Sequence, residues 1–248
     1  MTMSAVQWTC AVLGAFMMGA SKTGITGLSI LAVALFTHVF PSSKQATGLV
    51  LPLLLFGDFI AVAYYRAHTQ WRYVWKLLPW TASGVVLGYF ALGHISDRTA
   101  RAAIGAIIVS LCALSYWRRY KGAAAQDRAA DWHWSVGAAI GIVAGFITLI
   151  ANAASPLMAI YLIAMRLPKM QYVGTAAVFF MMLNLFKVPF MANLGLITVH
   201  SFELNLALAP AVLFGAVAGR WLLARIDQAL FENLILALTT VAGILLLT

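Results

Sequence analysis

Two lysines and one carboxylate stand in stretches that are otherwise apolar, and they are the groups best suited to chemistry. Lys22 lies in a Ser-Lys-Thr-Gly run, and Lys187 follows Asn184 by three residues. A charged side chain at membrane depth is costly unless it has a function or a partner. Buried ammonium groups are suited to binding an anion. The alternatives are that each lysine extends its ammonium to the membrane surface or pairs with Asp58.

Asp58 is the one carboxylate among the seven that lies deep in an apolar segment. It can either carry a proton or neutralise a lysine. The second interpretation is slightly favoured, because a carboxylate paired with a cation keeps its charge. Asp58 is therefore a candidate for an ion pair or for ion coupling.

Small polar residues and glycines flank Lys22 in the sequence, and similar residues recur in the second half of the chain. A helix that begins inside a membrane presents free backbone N–H groups and a positive dipole end, which attract anions. Asn152 and Ser155 favour a helix N-cap, and Pro156 suits a first helical turn. The candidate binding residues are Ser21, Lys22, Thr23, Gly24, Gly27, Asn152, Ser155, Asn184 and Lys187.

Close helix packing is the competing explanation for such small residues. It is the preferred one for the glycines at four-residue spacing, which are Gly84, Gly88, Gly215 and Gly219.

The composition indicates a polytopic membrane protein. Hydrophobic residues make up 63% of the chain and charged residues 9%, and the mean hydropathy is +0.92, unlike soluble domains. The formal charge of +9 comes mostly from short loops between apolar runs, which is a topology signal and leaves nucleic-acid binding without support. The apolar N-terminus lacks the basic start of a signal peptide and is expected to remain as a membrane segment.

Each half of the chain begins with an apolar pair of runs that is broken by small residues. The first pair, 5–18 and 28–40, is too long for one crossing of about 20 residues and short for two. Its break is predicted at Gly19 to Gly27, and the second break at Ala151 to Pro156. Further apolar segments are expected near 45–65, 73–93, 99–117, 171–192, 204–222 and 230–247.

The two halves are predicted to be copies of one unit, because sliding one over the other aligns Asn184 with Asp58 and Ser155 with Ser29. Repeats with broken helices at matching places are typical of secondary transporters. We expect an all-α polytopic membrane protein that forms a single transmembrane domain. Its two inverted repeats, 5–118 and 134–248, each contain an interrupted helix pair followed by three transmembrane helices, with a linker at 118–133.

Basic residues support the inverted arrangement. If each interrupted pair enters and leaves on one side, one face receives eleven Lys and Arg residues and the other receives only Lys44, Arg98 and Arg101. The positive-inside rule then predicts that both termini lie outside and the linker lies in the cytoplasm. A hairpin that dips into the membrane and a pair of helices that crosses it twice both return the chain to the side on which it entered. Both arrangements of the interrupted pairs therefore remain open.

Nothing in the sequence indicates an enzyme, a cofactor or a metal site. The five histidines lie in loops or at segment ends, and none has metal-ligand spacing with another ligand type. Cys10 and Cys112 lie in apolar runs as expected for packing residues. No nucleophile elbow, phosphate loop or zinc-binding helix is present.

The chain resembles the sulfite exporter TauE/SafE family, also called the toluene-sulfonate uptake permease family. The resemblance rests on Gly-Ala-Ser-Lys-Thr-Gly-Ile-Thr-Gly-Leu at the first break, on Leu51-Pro52 with Asp58, and on Ala-Asn-Ala-Ala-Ser-Pro with Gly174-Thr175 and Asn184. It covers essentially the whole chain. It implies transport of sulfite, sulfonates, sulfoacetate or similar anions across the bacterial inner membrane, with binding around Ser21 to Gly24 and Asn152 to Ser155.

The predicted function is therefore transport of a small sulfur-containing or organic anion, and the expected partners are that anion and the lipid bilayer. Export is favoured over coupled uptake, because the negative interior drives anions outward. The alternatives are a coupled uptake permease, an anion channel, and a membrane scaffold or assembly protein without a substrate pathway.

Overall fold

The computed structural model describes residues 3–39, 43–91 and 134–245, with scattered helical positions between 106 and 116. These ranges are α-helical apart from loops and one 3-10 turn at Arg66–His68. In chain order the helices are α1 (Ala5–Thr23), α2 (Leu28–Val39), α3 (Ser43–Tyr65), α4 (Trp71–Ala91), α5 (Trp134–Ala151), α6 (Ser155–Ala164), α7 (Lys169–Asn193), α8 (Val199–Arg225) and α9 (Gln228–Leu245). The predicted all-α class is confirmed.

Several of these helices can cross a membrane. By length and composition, the stretches that qualify among the described residues are Val50–His68, Lys169–Asn193, Ser201–Arg225 and Gln228–Leu245. With the shorter apolar helices α5 and α6, they confirm the prediction of a multi-pass membrane protein. The predicted segment 99–117 is described only at scattered positions, and the predicted linker at 118–133 lies outside the described residues.

The first helix break is shorter than the sequence predicted. The break was expected from Gly19 onward, but α1 continues to Thr23 and the interruption covers only Gly24 to Gly27. Gly19 and its small neighbours belong to a face of α1 that packs closely on α8, so they serve helix contact rather than a break. Gly27 has a φ of 122°, a conformation that favours glycine.

The second break lies where the sequence placed it, between Ala151 and Ser155. Asn152 has a left-handed φ of 51°, and its backbone N–H donates to the Thr148 carbonyl at 3.1 Å, so it closes the end of α5. The N-cap of α6 is Ala154, which makes no side-chain cap hydrogen bond. The expectation that Asn152 and Ser155 provide this cap is therefore wrong, whereas Pro156 lies in the first turn as expected.

Helix α1 packs on α8 through glycines that allow the backbones to touch. A Cβ atom added at Gly19 would lie 1.9 Å from the carbonyl oxygen of Val212. One added at Gly215 would lie 1.9 Å from the carbonyl oxygen of Phe16. No other residue type fits such approaches without moving a helix. The two helices therefore form one tightly joined layer.

Helix α5 packs on α4 in the same way. A Cβ atom added at Gly145 would lie 1.9 Å from the carbonyl oxygen of Thr81, and one added at Gly84 would lie 2.0 Å from that of Ile142. Gly88 and Gly219 also approach facing carbonyl oxygens. The packing role that their spacing indicated for these glycines is confirmed.

The centre of the described molecule is formed by α3, α6 and α7. Helices α3 and α7 contact each other, and every residue of α6 from Pro156 to Leu162 is buried. A ten-residue helix is about 15 Å long, roughly half the thickness of the hydrocarbon core. Helix α6 is thus a short buried element whose start, at the second break, lies inside the protein.

Candidate functional site

The first candidate lysine is held in a buried ion pair. Lys22 lies in the last turn of α1, and its Nζ is 2.6 Å from Oδ1 of Asp58 in the middle of α3. Asp58 has 0% exposed surface and Lys22 has 9%. The Lys22 Nζ also lies 4.8 Å from the centre of the Phe180 ring on α7, a cation–π contact. Three helices therefore meet at this ammonium group.

Asn184 on α7 extends the pair into a network. Its Nδ2 donates to Oδ2 of Asp58 at 2.6 Å, so both carboxylate oxygens of Asp58 are engaged. The Oδ1 atom of Asn184 accepts from the Lys187 Nζ at 3.4 Å. One buried amide thus joins the carboxylate to the second candidate lysine. Asp58 and Asn184, which the alignment of the two halves matches, therefore touch each other, and Lys187 lies beside them.

Lys187 is surrounded by neutral acceptors. Its Nζ donates to Oδ1 of Asn152 at 2.5 Å and to Oγ1 of Thr148 at 3.2 Å, in addition to Asn184. The side chain has 0% exposed surface, and it forms no ion pair with any carboxylate of the described ranges. The sequence left open which lysine pairs with Asp58; in the structure Lys22 takes the carboxylate, and Lys187 is bonded to two amides and a hydroxyl.

The first residues of α2 and α6 contact each other, and both helices begin shortly after a residue of this network in the sequence. Ser29, in the first turn of α2, donates from Oγ to the Oγ of Ser155, which begins α6, at 3.3 Å. The contact joins residues 126 positions apart, as does the contact between Asp58 and Asn184. Two helix starts with positive dipole ends therefore face each other inside the protein.

Other residues of the first break face the neighbouring helices. Thr23 donates its hydroxyl to the Ala216 carbonyl at 2.6 Å. Gly24 packs so closely on α8 that an added Cβ would lie 2.5 Å from the Gly219 carbonyl oxygen.

The remaining candidate residues of this region are placed differently. Gly27 lies beside Leu238 of α9. Ser21 is buried in the last turn of α1. The structure gives Thr23, Gly24 and Gly27 contacts that fix the break in place.

Two tyrosine hydroxyls form hydrogen bonds with residues at the first break. The Tyr65 hydroxyl donates to the Thr23 carbonyl at 3.0 Å, which satisfies a backbone group that the end of α1 leaves without a helical partner. The hydroxyls of Thr26 and Tyr172 share a hydrogen bond of 2.8 Å. The break is therefore bonded to both central helices, α3 and α7.

Sequence reasoning missed Thr148 and Phe180, which contact the two lysines directly. A signal for Thr148 was present, because the offset that aligns Asp58 with Asn184 also aligns Lys22 with Thr148. Phe180 carried no signal, since an aromatic residue in an apolar helix is ordinary packing.

Buried ammonium groups are chemically suited to contact an anion. The arrangement consists of two ammonium groups and one carboxylate, connected by the Asn184 amide, with the Asn152 amide and the Thr148 hydroxyl accepting from Lys187. Among the described residues there is no group of three or more His, Cys, Asp or Glu side chains that could hold a metal ion.

A protein-family model described as Sulfite exporter TauE/SafE matches residues 11–246. No curated protein matches the chain, and no solved structure does so either. The match covers both helix breaks and all the residues of the network.

Proposed function

The chain belongs to the sulfite exporter TauE/SafE family, a family of membrane transporters, and we propose that it carries small sulfur-containing or organic anions through a central site at the two helix breaks. Sulfite, sulfonates and sulfoacetate represent the class. In this proposal the chain is not an enzyme, and the anion needs no cofactor.

The observation that carries the proposal is the charge at Lys187. Among the residues that the structure describes, two buried lysines have one carboxylate between them, and Lys22 already holds that carboxylate at 2.6 Å. A buried ammonium group without a counter-ion is costly. A scaffold protein gains nothing from this cost, whereas an anion transporter requires a buried positive charge that its substrate can neutralise.

The proposed site combines three sets of groups. Lys187 supplies the charge, while Asn152 and Thr148 hold its ammonium beside the second break. Lys22, together with Asp58 and Asn184, extends the network to the first break. The facing starts of α2 and α6 at Ser29 and Ser155 add backbone N–H groups and dipole ends suited to anionic oxygens.

Two observations support the proposal of two inverted repeats. The contacts of Asp58 with Asn184 and of Ser29 with Ser155 each join residues 126 positions apart, as expected for residues beside a two-fold axis that relates the copies. Gly19 and Gly145 also occupy matching positions, and each approaches a carbonyl of the facing helix equally closely. Binding at the interface of such repeats is typical of secondary transporters.

Export is the direction we propose, in a bacterial inner membrane. The cytoplasm is electrically negative, so moving one negative charge outward through 100 mV releases about 2.3 kcal/mol. An exporter of this kind needs no coupling ion. The titratable carboxylate in the network, Asp58, is committed to Lys22, which leaves it poorly placed to carry a proton for uptake.

The experiment is efflux from proteoliposomes that contain the purified protein and labelled sulfite or methanesulfonate. A potassium-diffusion potential is imposed without a pH or sodium gradient. We expect efflux to accelerate when the interior is negative and to slow when it is positive. Flux that ignores the sign of the potential but follows an imposed pH or sodium gradient would support the coupled uptake permease, and flux equal to protein-free liposomes would support a scaffold.

A further inference from the structure

We propose that the site selects anions by valence and takes one monovalent anion, such as a singly charged sulfonate or hydrogen sulfite, in preference to a divalent anion such as sulfate. The inference rests on the proposed function, because it concerns the site at which that function places the anion. It follows from the charges that the network buries.

The network carries one excess positive charge. The Lys187 Nζ has three acceptors, on Asn152, Thr148 and Asn184, and these match the three N–H donors of an ammonium group. The Lys22 ammonium pairs with the Asp58 carboxylate at 2.6 Å. Two positive groups and one negative group therefore lie within one connected set of buried side chains.

The helix breaks add little to the net charge of the site. Each break joins the negative end of one helix dipole to the positive end of the next. Helix α1 ends at Thr23 beside the start of α2 at Leu28, and α5 ends at Ala151 beside the start of α6 at Ser155. The opposite partial charges compensate in each break, so the side chains decide the net charge of the site.

A monovalent anion leaves the occupied site neutral. A divalent anion would leave one excess negative charge in a region where Asp58, Asn184 and Lys187 have almost no exposed surface. An uncompensated charge buried from water is strongly unfavourable. The site is therefore expected to discriminate between anions of similar shape that differ by one charge.

The first measurement is calorimetric titration of the purified protein with methanesulfonate and with sulfate at equal ionic strength. Both are tetrahedral at sulfur and present at least three oxygens, and they differ in charge. We expect methanesulfonate to bind about tenfold or more tightly than sulfate, since a charge-assisted contact is worth roughly this factor or more.

The decisive variant is Asn152→Asp, which places a carboxylate beside Lys187, whose ammonium pairs with no carboxylate of the described ranges. Asn152 Oδ1 is 2.5 Å from the Lys187 Nζ, and aspartate tolerates the left-handed backbone found there. The variant is expected to raise the melting temperature and to lower methanesulfonate affinity about tenfold or more. The matched control is Asn193→Asp at the exposed end of α7, which is expected to bind methanesulfonate like the parent protein.

A second variant covers the case in which Asn152→Asp does not fold. Lys187→Gln removes the excess charge and is expected to lower methanesulfonate affinity by a similar factor. Sulfate binding as tight as methanesulfonate binding, or an unchanged affinity in folded Asn152→Asp, would overturn the valence proposal while the proposed function stands. Absence of both anion binding and anion efflux in the parent protein would overturn the proposed function itself.

Discussion

At the scale of single residues, the site depends on how three buried charges share their partners. Asp58 forms an ion pair with Lys22 through one oxygen and accepts from Asn184 through the other, and Asn184 in turn accepts from Lys187. Asp58 and Asn184 therefore connect the two buried lysines in one network. Such networks are stable when complete and costly when one member is lost.

Removing the carboxylate should therefore cost stability. Asp58→Asn leaves the buried Lys22 ammonium without its counter-ion, and breaking a buried ion pair in this way costs about 3–5 kcal/mol. We expect a large fall in melting temperature, measured by thermal unfolding in detergent.

The matched control for this change is Asp227→Asn at the exposed start of α9. Asp227 accepts there from the backbone N–H of Leu230, and asparagine caps helices equally well. A folded Asp58→Asn protein with the melting temperature of the parent would contradict the importance of the pair.

The types of the site residues could be predicted from the sequence, but their pairing could not. Charged residues in apolar segments are conspicuous, so Lys22, Asp58 and Lys187 were found by composition alone. Which lysine takes the carboxylate depends on distances between helices that no local pattern reports. The structure assigns it to Lys22 and leaves neutral acceptors around Lys187.

At the scale of helices, glycines decide where backbones touch and where they break. Gly19 was predicted to begin the first break, because small residues favour both breaks and close contacts. It lies instead inside α1, where it contacts α8. The true break at Gly24 to Gly27 is marked by the positive φ of Gly27, which the sequence does not reveal.

A pair of substitutions on α5 tests this packing. Gly145→Ala places a Cβ 1.9 Å from the Thr81 carbonyl oxygen, whereas Gly137→Ala meets only a Tyr161 ring carbon at 3.9 Å. We expect Gly145→Ala to lower the free energy of unfolding by about 1–3 kcal/mol. Gly137→Ala should be neutral or stabilising by about 0.5–1 kcal/mol. Equal stability of both variants would show that α4 and α5 are not tightly joined.

At the scale of the whole molecule, the proposed orientation is supported by contacts that gather basic residues at one face. Arg220, near the end of α8, stacks on Tyr64 near the end of α3 at 4.2 Å. Lys169, at the start of α7, donates to the carbonyls of Leu223 and Ile226 at the end of α8. These helix ends share one side, as the positive-inside rule requires of a cytoplasmic face.

Cysteine labelling in intact cells tests that orientation. In a background without Cys10 and Cys112, Ala67→Cys lies in the turn after α3 and Ala192→Cys lies near the far end of α7. A membrane-impermeant maleimide should label the second variant from outside and the first only after the cells are opened. The reverse pattern would place both termini in the cytoplasm.

The two-copy organisation was predicted from a few matching residues, and it gains support from contacts made by those same residues. Asp58 and Asn184 aligned in the sequence and touch in the structure. The depth of each break in the membrane was not predictable. A hairpin that dips into the membrane and a pair of helices that crosses it twice both return the chain to the same side, so the distribution of basic residues does not distinguish them.

The role of Lys187 in transport is tested by potential-driven efflux of labelled methanesulfonate, with parent protein and Lys187→Gln reconstituted side by side at equal protein density. We expect rapid efflux with an interior-negative potential for the parent and a rate at least about tenfold lower for the variant. Equal efflux from a folded Lys187→Gln protein would contradict the claim that the excess buried charge binds the transported anion.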